Sequence, residues 1–487
     1  MNQFYNEPAN TVPVYDECDV LVVGGGAAGH SAAIAAARVG AKVIVMERYG
    51  YFGGDVTGGY VLLIPTLNWH THSVIRGLQE EWFTRLDKDA PGTYIGPALK
   101  YVGKDVPYIC DQYAPYEGCV NNRETPNSPL RSMFIEPTEL KLEMDRMVQE
   151  EKNIKVLFHS WGVKPIVEDS KMKGVIFESK AGRQAIYAKV VIDATGDGDI
   201  YSQAGAGFHG DSGIRDLDHR DNQTALVWRA GGVDFEAFSK MRIEHPASFR
   251  SFLEDLWSVA GYRTMFFATG RPGVVWFNNW LLNMNCIDLN DMRECEFKVR
   301  NSIRPILEFC KTAVPQAFKN AYLYDIAPQL GVRCSRRLDG EKFMTSLDLA
   351  CNPEFDDVIA WSQTGGNYCP VEIPYGCIIP KTVDNLICPG RHLSADPLAI
   401  TALQLIPQCV QTGQAAGVAA AVAVLDQTST RTVDIRKVQK ILCEEQDVPL
   451  PRQANTDKAF VEELQAFNYG RDEERAKKVR AEHGLDW

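Results

Sequence analysis

The apolar run Val20-Leu21-Val22-Val23, broken by Gly24-Gly25-Gly26 and followed by an alanine-rich stretch, constrains this chain more than any other feature. A short β-branched run cut off by glycine reads as a buried parallel strand. Residues 27–39 contain no proline and read as a helix closed by Gly40. Residues 42–46 form a second β-branched run that ends at Glu47. Strand, helix and strand within about 30 residues have the size of one βαβ unit. Gly24-x-Gly26-x-x-Gly29 falls on its first turn. There Gly24 permits the tight turn, Gly26 lets a pyrophosphate approach the backbone, and Gly29 lets the helix pack closely on the strand. The helix start offers unpaired N–H groups and a positive dipole end to the phosphates. Glu47 stands where an acid can bond an adenosine ribose. A ligand-free glycine turn would explain the glycines, but not their coincidence with strand, helix and acid.

With 487 residues the chain has room for two or three structural units. The first part of a nucleotide-binding domain spans 17–60. Residues 61–135, with scattered proline, glycine, aromatic and cysteine residues, read as an insertion. The second part, 136–207, carries a helical period at 136–151 and short strands at 154–158, 163–167, 174–177 and 186–192. A substrate region, rich in Trp and Arg, spans 208–370. The third part, 371–430, contains a strand at 385–388 and an Ala/Gly/Gln helix at about 407–425, and 431–487 is a charged tail with a helical pattern. The expected fold is α/β: a discontinuous Rossmann-like domain, a mixed α+β substrate domain and a helical C-terminal tail.

Four further stretches resemble FAD-dependent oxidoreductases of the glutathione-reductase and fumarate-reductase type. Glu47-Arg48-Tyr49-Gly50-Tyr51-Phe52-Gly53-Gly54 is similar to the segment after their ribose-binding acid. Val190-Val191-Ile192-Asp193-Ala194-Thr195-Gly196-Asp197-Gly198-Asp199 is similar to their second FAD signature. Ile387-Cys388-Pro389-Gly390-Arg391-His392, with the helix after it, resembles their closing motif, and Gln329 to Arg337 resembles a segment near the substrate side. The resemblance implies FAD held by Gly24, Gly26, Ala28, Gly29, Glu47, Arg48, Gly53, Gly54, Val163, Ala194, Thr195, Gly196, Asp199, Gly390, Arg391 and Gly413. It implies a dehydrogenase, oxidase or reductase that moves a hydride at flavin N5 to or from a small organic molecule. The alternatives are a biosynthetic or monooxygenase-type flavoprotein using NAD(P)H, and a non-catalytic flavin-binding protein. No second G-x-G-x-x-G follows a strand, which counts against a dedicated nicotinamide domain. His392 and Gln404 stand where many relatives have cysteine and arginine.

His392 is the favoured proton-transfer residue, because imidazole titrates near neutral pH; its alternative is a structural histidine bonded to the ribityl chain or the backbone. Arg333, Arg336 and Arg337 offer planar forks for a carboxylate or carbonyl, or a charge network between domains. His70 and His72 have the spacing of a strand-borne metal pair but lack a third ligand, so no metal is expected. Trp276-Phe277-Asn278-Asn279-Trp280 can line a pocket for a ring-bearing or sugar-like substrate, or can be plain core.

The formal charge of −12 repels phosphate backbones and anionic lipid, so nucleic acid is not an expected partner. The apolar stretch 415–425 is too short for the roughly 20 residues of a membrane span. The 13 cysteines are odd in number and contain no C-x-x-C pair, which fits free thiols and a cytoplasmic location. The expected partner is a small-molecule substrate, and a homo-oligomer is compatible with the sequence.

Overall fold

The computed structural model of the chain describes residues 10–64, 133–210, 223–269, 271–282, 284–362 and 370–451, with short pieces at 5, 7–8, 68–69, 72–86 and 94–95. Most of the expected insertion, and the tail beyond residue 451, lie outside the described residues.

The N-terminal unit forms as its pattern dictates. Strand β1 (Val14–Val23) turns into helix α1 (Ala27–Val39), which ends on Gly40 in the left-handed region (φ 111°) and leads to β2 (Val43–Met46). The chain returns through helix α2 (Leu78–Leu86), then α3 (Pro137–Glu150), which starts with proline at its first turn. Next come β3 (Ile154–Leu157), β4 (Trp161–Glu168), β5 (Lys171–Ser179) and β6 (Gly182–Asp193). These strands lie in one sheet in the order β3-β2-β1-β6-β5-β4. β1 pairs in parallel with β2 (Val20↔Val43) and with β6 (Val20↔Val190), whereas β4, β5 and β6 form antiparallel hairpins. β2 and the second half of β1 are buried on both faces, which is why they read as continuous apolar runs. β4 to β6 start earlier than the sequence suggests, because their outer halves alternate polar and apolar residues.

A second unit follows. β7 (Trp228–Gly231), α4 (Phe235–Glu244), α5 (Pro246–Ala260), β8 (Arg263–Ala268), β9 (Val275–Leu282), α6 (Leu289–Ala313) and β10 (Tyr322–Ile326) form a six-stranded sheet, completed by two short strands, with helices on one face. Toward the helices it presents an aromatic core. Phe277 stacks on Trp228 with centroids 3.8 Å apart, and Phe238 of α4 touches Phe249, Phe252, Phe266 and Phe318.

The chain then rejoins the first sheet. β11 (Leu386–Ile387) pairs in parallel with β6, so three separated segments build one domain, as expected for a discontinuous α/β fold. Helix α7 (Pro397–Leu403) precedes α8 (Ile406–Leu425), and α9 (Ile435–Glu444) is the described part of the helical C-terminal region. The apolar stretch at 415–425 is the second half of the 20-residue α8, so its length does not exclude a membrane span; instead, 89% of its most apolar window is buried inside the protein. α8 lies directly on α1. A Cβ on Gly413 would stand 2.2 Å from the Ala28 carbonyl oxygen, and one on Gly417 2.2 Å from that of Ala32. Glycines one turn apart therefore let the two helix backbones touch.

Candidate functional site

A crevice of about 910 Å³ runs between the ends of the parallel strands and the second sheet, where ligands bind in open α/β folds. Its floor is backbone. Gly24 holds φ 99°, and any Cβ there would strike the Ala194 carbonyl at 2.5 Å. Gly26 and Gly53 bridge in parallel, which sets the fingerprint turn beside the Gly53-Gly54 turn. A Cβ on Gly26 would meet nothing closer than Gly54 Cα at 3.9 Å, so the space before this turn is kept open by glycine alone.

Both helices that start at the crevice lack a side-chain cap: α1 behind Gly26 and α8 behind Leu405. Uncapped first-turn N–H groups and two positive dipole ends suit a pyrophosphate and the negative charge of a reduced flavin. At the end of β2, Glu47 accepts from the backbone N–H of Gly25 at 2.7 Å and of Tyr49 at 2.9 Å. Burial pushes its pKa up, against these backbone donors. Its remaining lone pairs are open to a ribose diol. Glycine cradle, uncapped helices and acid all fit FAD. Gly24, Gly26, Ala28, Glu47, Arg48, Gly53, Gly54, Ala194, Thr195, Gly196, Asp199, Gly390 and Arg391 all line this crevice.

Three residues expected at the cofactor do not line it. Gly29 packs under the turn, where a Cβ would come within 1.8 Å of the Gly24 carbonyl oxygen; Gly413 packs on Ala28; and Val163 lies on β4 beside the lining residue Gly162. The two glycines act by letting other backbones approach.

His392 is a clear correction. Its ring is fully buried, stacks on Tyr201 at 5.2 Å, and joins the Pro389 carbonyl through Nε2 at 2.9 Å. Burial lowers its pKa. Adjacent residues after the Gly390 turn point opposite ways, so Arg391 enters the crevice and His392 enters the core. The structural alternative describes its surroundings. Arg337 is likewise misplaced by the sequence reading, since it is buried on a short strand paired with Phe208–His209 and does not line the crevice; Arg333 and Arg336 do.

The sequence reading missed two carboxylates of the glycine turns, Asp55 and Asp197. Arg391 donates to Asp55 at 2.8 Å and to Asp197 at 3.0 Å. Asp197 also accepts from Ser335 Oγ at 2.6 Å, and Asp55 from Gln329 at 3.2 Å. Burial raises the pKa of Asp55, with Arg391 opposing and the charge of Asp197 adding to it. Burial also works to raise that of Asp197, but Arg391 and the Ser335 hydrogen bond hold it below the usual range. Asp199, desolvated and close to Asp197 and Asp193, is pushed up to about 6. Asp193 braces the whole loop, accepting from the N–H and hydroxyl of Thr195 and from the N–H groups of Ile200 and Tyr201. The available signal was a carboxylate on either side of glycines held at positive φ, as at Gly196 and Gly198.

Strand alternation sorts the aromatic cluster. Trp276, Asn278 and Trp280 line the crevice, while Phe277 faces the core and Asn279 ties down Leu226 through both backbone groups. His70 lies outside the described residues, among which no group of three His, Cys, Asp or Glu side chains is placed to hold a metal.

A family model described as FAD dependent oxidoreductase matches residues 19–442. Among curated proteins, the chain is 38% identical over 96 residues to 4-oxocyclohex-2-ene-1-carboxylate 5-dehydrogenase of Sinomonas cyclohexanicum, a match covering 19% of this chain and 16% of that protein. It is 36% identical over 88 residues to thiamine thiazole synthase of Sulfolobus acidocaldarius, covering 18% of this chain and 32% of that protein. These matches thus span less than a third of either relative. A solved structure of a geranylgeranyl bacteriochlorophyll reductase-like protein from Thermoplasma acidophilum overlaps with a TM-score of 0.47 at 14% identity, over 96% of this chain and 99% of that one.

Proposed function

Since the chain belongs to the FAD-dependent oxidoreductase family, we propose that it binds FAD in this crevice and moves a hydride equivalent between flavin N5 and a small organic substrate. The observation that carries the reading is the convergence of two uncapped helix starts, at Gly26 and Leu405, on one glycine-floored crevice that Glu47 also enters. Bound FAD supplies the two-electron chemistry. The chain's own residues then have definite work. The first turn of α1 receives the pyrophosphate, Glu47 fixes the adenosine ribose, and the start of α8 favours negative charge on the flavin side.

Proton handling moves from His392 to Asp55. This carboxyl lines the crevice, its pKa is raised by burial, and Arg391 and Gln329 fix its orientation. A carboxyl poised in this way can hold or release a proton at the substrate. The free state of all ten described cysteines supports the proposed cytoplasmic setting.

The test is direct. Purified protein should be yellow, and acid precipitation should release FAD and not FMN. Gly26→Val should fold yet take up no flavin, because its side chain would fill the pyrophosphate space. A colourless protein that ignores added FAD would overturn the reading. Reduction assays with alcohols, enoates and NAD(P)H on the yellow protein then fix the direction of transfer.

A further inference from the structure

The wall facing the nucleotide half has a chemistry of its own. Antiparallel pairing places Met265 opposite Asn278 and Phe267 opposite Trp276, so these side chains share one face of the β8–β9 ribbon with Trp280, and all of them line the crevice. Opposite the helix-covered aromatic core, this face is a second aromatic surface, held open toward the cofactor site. The first turns of α6 border it with Leu289, Met292 and Glu296, and Trp280 and Asn278 remain half-buried.

Charge is the second observation. On the substrate sheet and α6 the described charged lining residue is Glu296, which pairs with Arg300 one turn on. Across the crevice Arg391 lies between Asp55 and Asp197, and Arg336 meets Asp199 at 3.4 Å and the Asp197 carbonyl at 2.9 Å. Arg333 also has a partner within the protein. A substrate carboxylate entering here would lose its hydration and, apart from Arg48, which lies over the Tyr49 and Trp161 rings beside the ribose-binding Glu47, would have to compete with existing partners for a cation, which is unfavourable. A ring loses little hydration and gains stacking on indole. One polar group stands within the aromatic face: the side-chain amide of Asn278 makes no hydrogen bond to a described residue, and it offers both donors and an acceptor.

From these observations we propose that the substrate is an uncharged, flat, ring-bearing molecule with one hydroxyl or carbonyl group, seated against Trp276, Trp280 and Phe267 with its oxygen on Asn278. The proposal rests on the flavin reading above only in taking this crevice as the substrate site.

The FAD-loaded protein is titrated with p-cresol, with 4-methylcyclohexanol and with benzoate, following the flavin absorption bands and tryptophan fluorescence. We expect p-cresol to bind at least about tenfold more tightly than either of the others, as stacking and the missing counter-ion together dictate. Trp280→Ala should weaken p-cresol about tenfold while FAD content is unchanged. Asn278→Leu should reduce the affinity for p-cresol but not for p-xylene, which has no oxygen to bond. Benzoate binding as tightly as p-cresol, or a Trp280→Ala variant with full FAD content and unchanged p-cresol affinity, would overturn the proposal. Failure of FAD uptake strikes the flavin reading instead. In that case the same fluorescence titration on flavin-free protein still decides the ring preference.

Discussion

Each half of the molecule buries an arginine between two carboxylates, and the halves differ in what stands behind the pair. In the nucleotide half Arg391 is the cation between Asp55 and Asp197, with Ser335 and Gln329 as neutral helpers. In the other half Arg229 joins Asp325 at 2.8 Å and Glu136 at 3.1 Å, but Arg271 also reaches Glu136, at 2.7 Å. Asp325 keeps 29% of its side chain exposed. The second cluster has a spare cation and partial access to water. The first has no second cation on the carboxylates of Asp55 and Asp197 among the described residues, and its three side chains keep 11–15% of their surface open to the crevice. A site shaped by backbone is thus more exposed to the loss of one residue than a site shaped by side chains.

The largest expected effect tests this difference. Arg391→Ala leaves two buried carboxylates facing each other and should lower stability by about 3–5 kcal/mol. Arg229→Ala, with Arg271 still on Glu136, should lower it by about 2 kcal/mol. Urea unfolding of both variants is the measurement. Equal losses would show that Arg271 does not compensate, and the contrast between the halves would disappear. Adding Asp55→Asn to Arg391→Ala should recover part of the loss, since it removes one of the stranded charges.

Packing gives a second, smaller contrast. At the α1–α8 contact, even Gly413→Ala drives a methyl group to within 2.2 Å of the Ala28 carbonyl oxygen, and should lower stability by about 1–3 kcal/mol. In the aromatic core, Phe238→Leu exchanges a whole ring for a branched chain among five other phenylalanines, yet should lose only about 1 kcal/mol, because neighbouring rings can shift. If thermal unfolding ranked Phe238→Leu as the more damaging change, the core would be the less forgiving region.

The same asymmetry explains what the sequence made legible. Where the backbone forbids a Cβ, as at Gly24, Gly53 and Gly390, or an approaching ligand would, as at Gly26, the requirement appears as glycine in a readable spacing, so these four can be assigned to the crevice from spacing and motif alone. Gly413 stands out for the same reason but takes the wrong partner, because helix–helix contact and cofactor contact both demand glycine. His392 misleads since a motif fixes the path of the backbone and not which of two neighbouring side chains turns inward. Asp55 and Asp197 escape notice because their importance lies in a shared guanidinium 336 and 194 residues away along the chain, and such pairing leaves no local pattern. The aromatic wall is visible as a cluster, but only strand register separates Trp276 and Trp280 from Phe277.

The smallest expected effect concerns pH, and it follows from the crowding of acids in the glycine loop. Burial and the neighbouring charges of Asp197 and Asp193 push Asp199 from an ordinary 3.8 up to about 6 in the folded protein. Between these two values the folded state holds a proton that the unfolded state has released. Stability from this group is therefore fully present below about pH 4 and is lost as pH rises through 6. Asp199 keeps 27% of its side chain exposed, so solvent screening limits the change to roughly 1–2 kcal/mol. Flavin-free protein should accordingly lose more stability between pH 5 and pH 7 than an Asp199→Asn variant does, when thermal midpoints are compared at each pH. Parallel pH profiles for wild type and Asp199→Asn would mean that the loop does not raise this acid, and that the crowding seen around Gly196 and Gly198 is relieved by water.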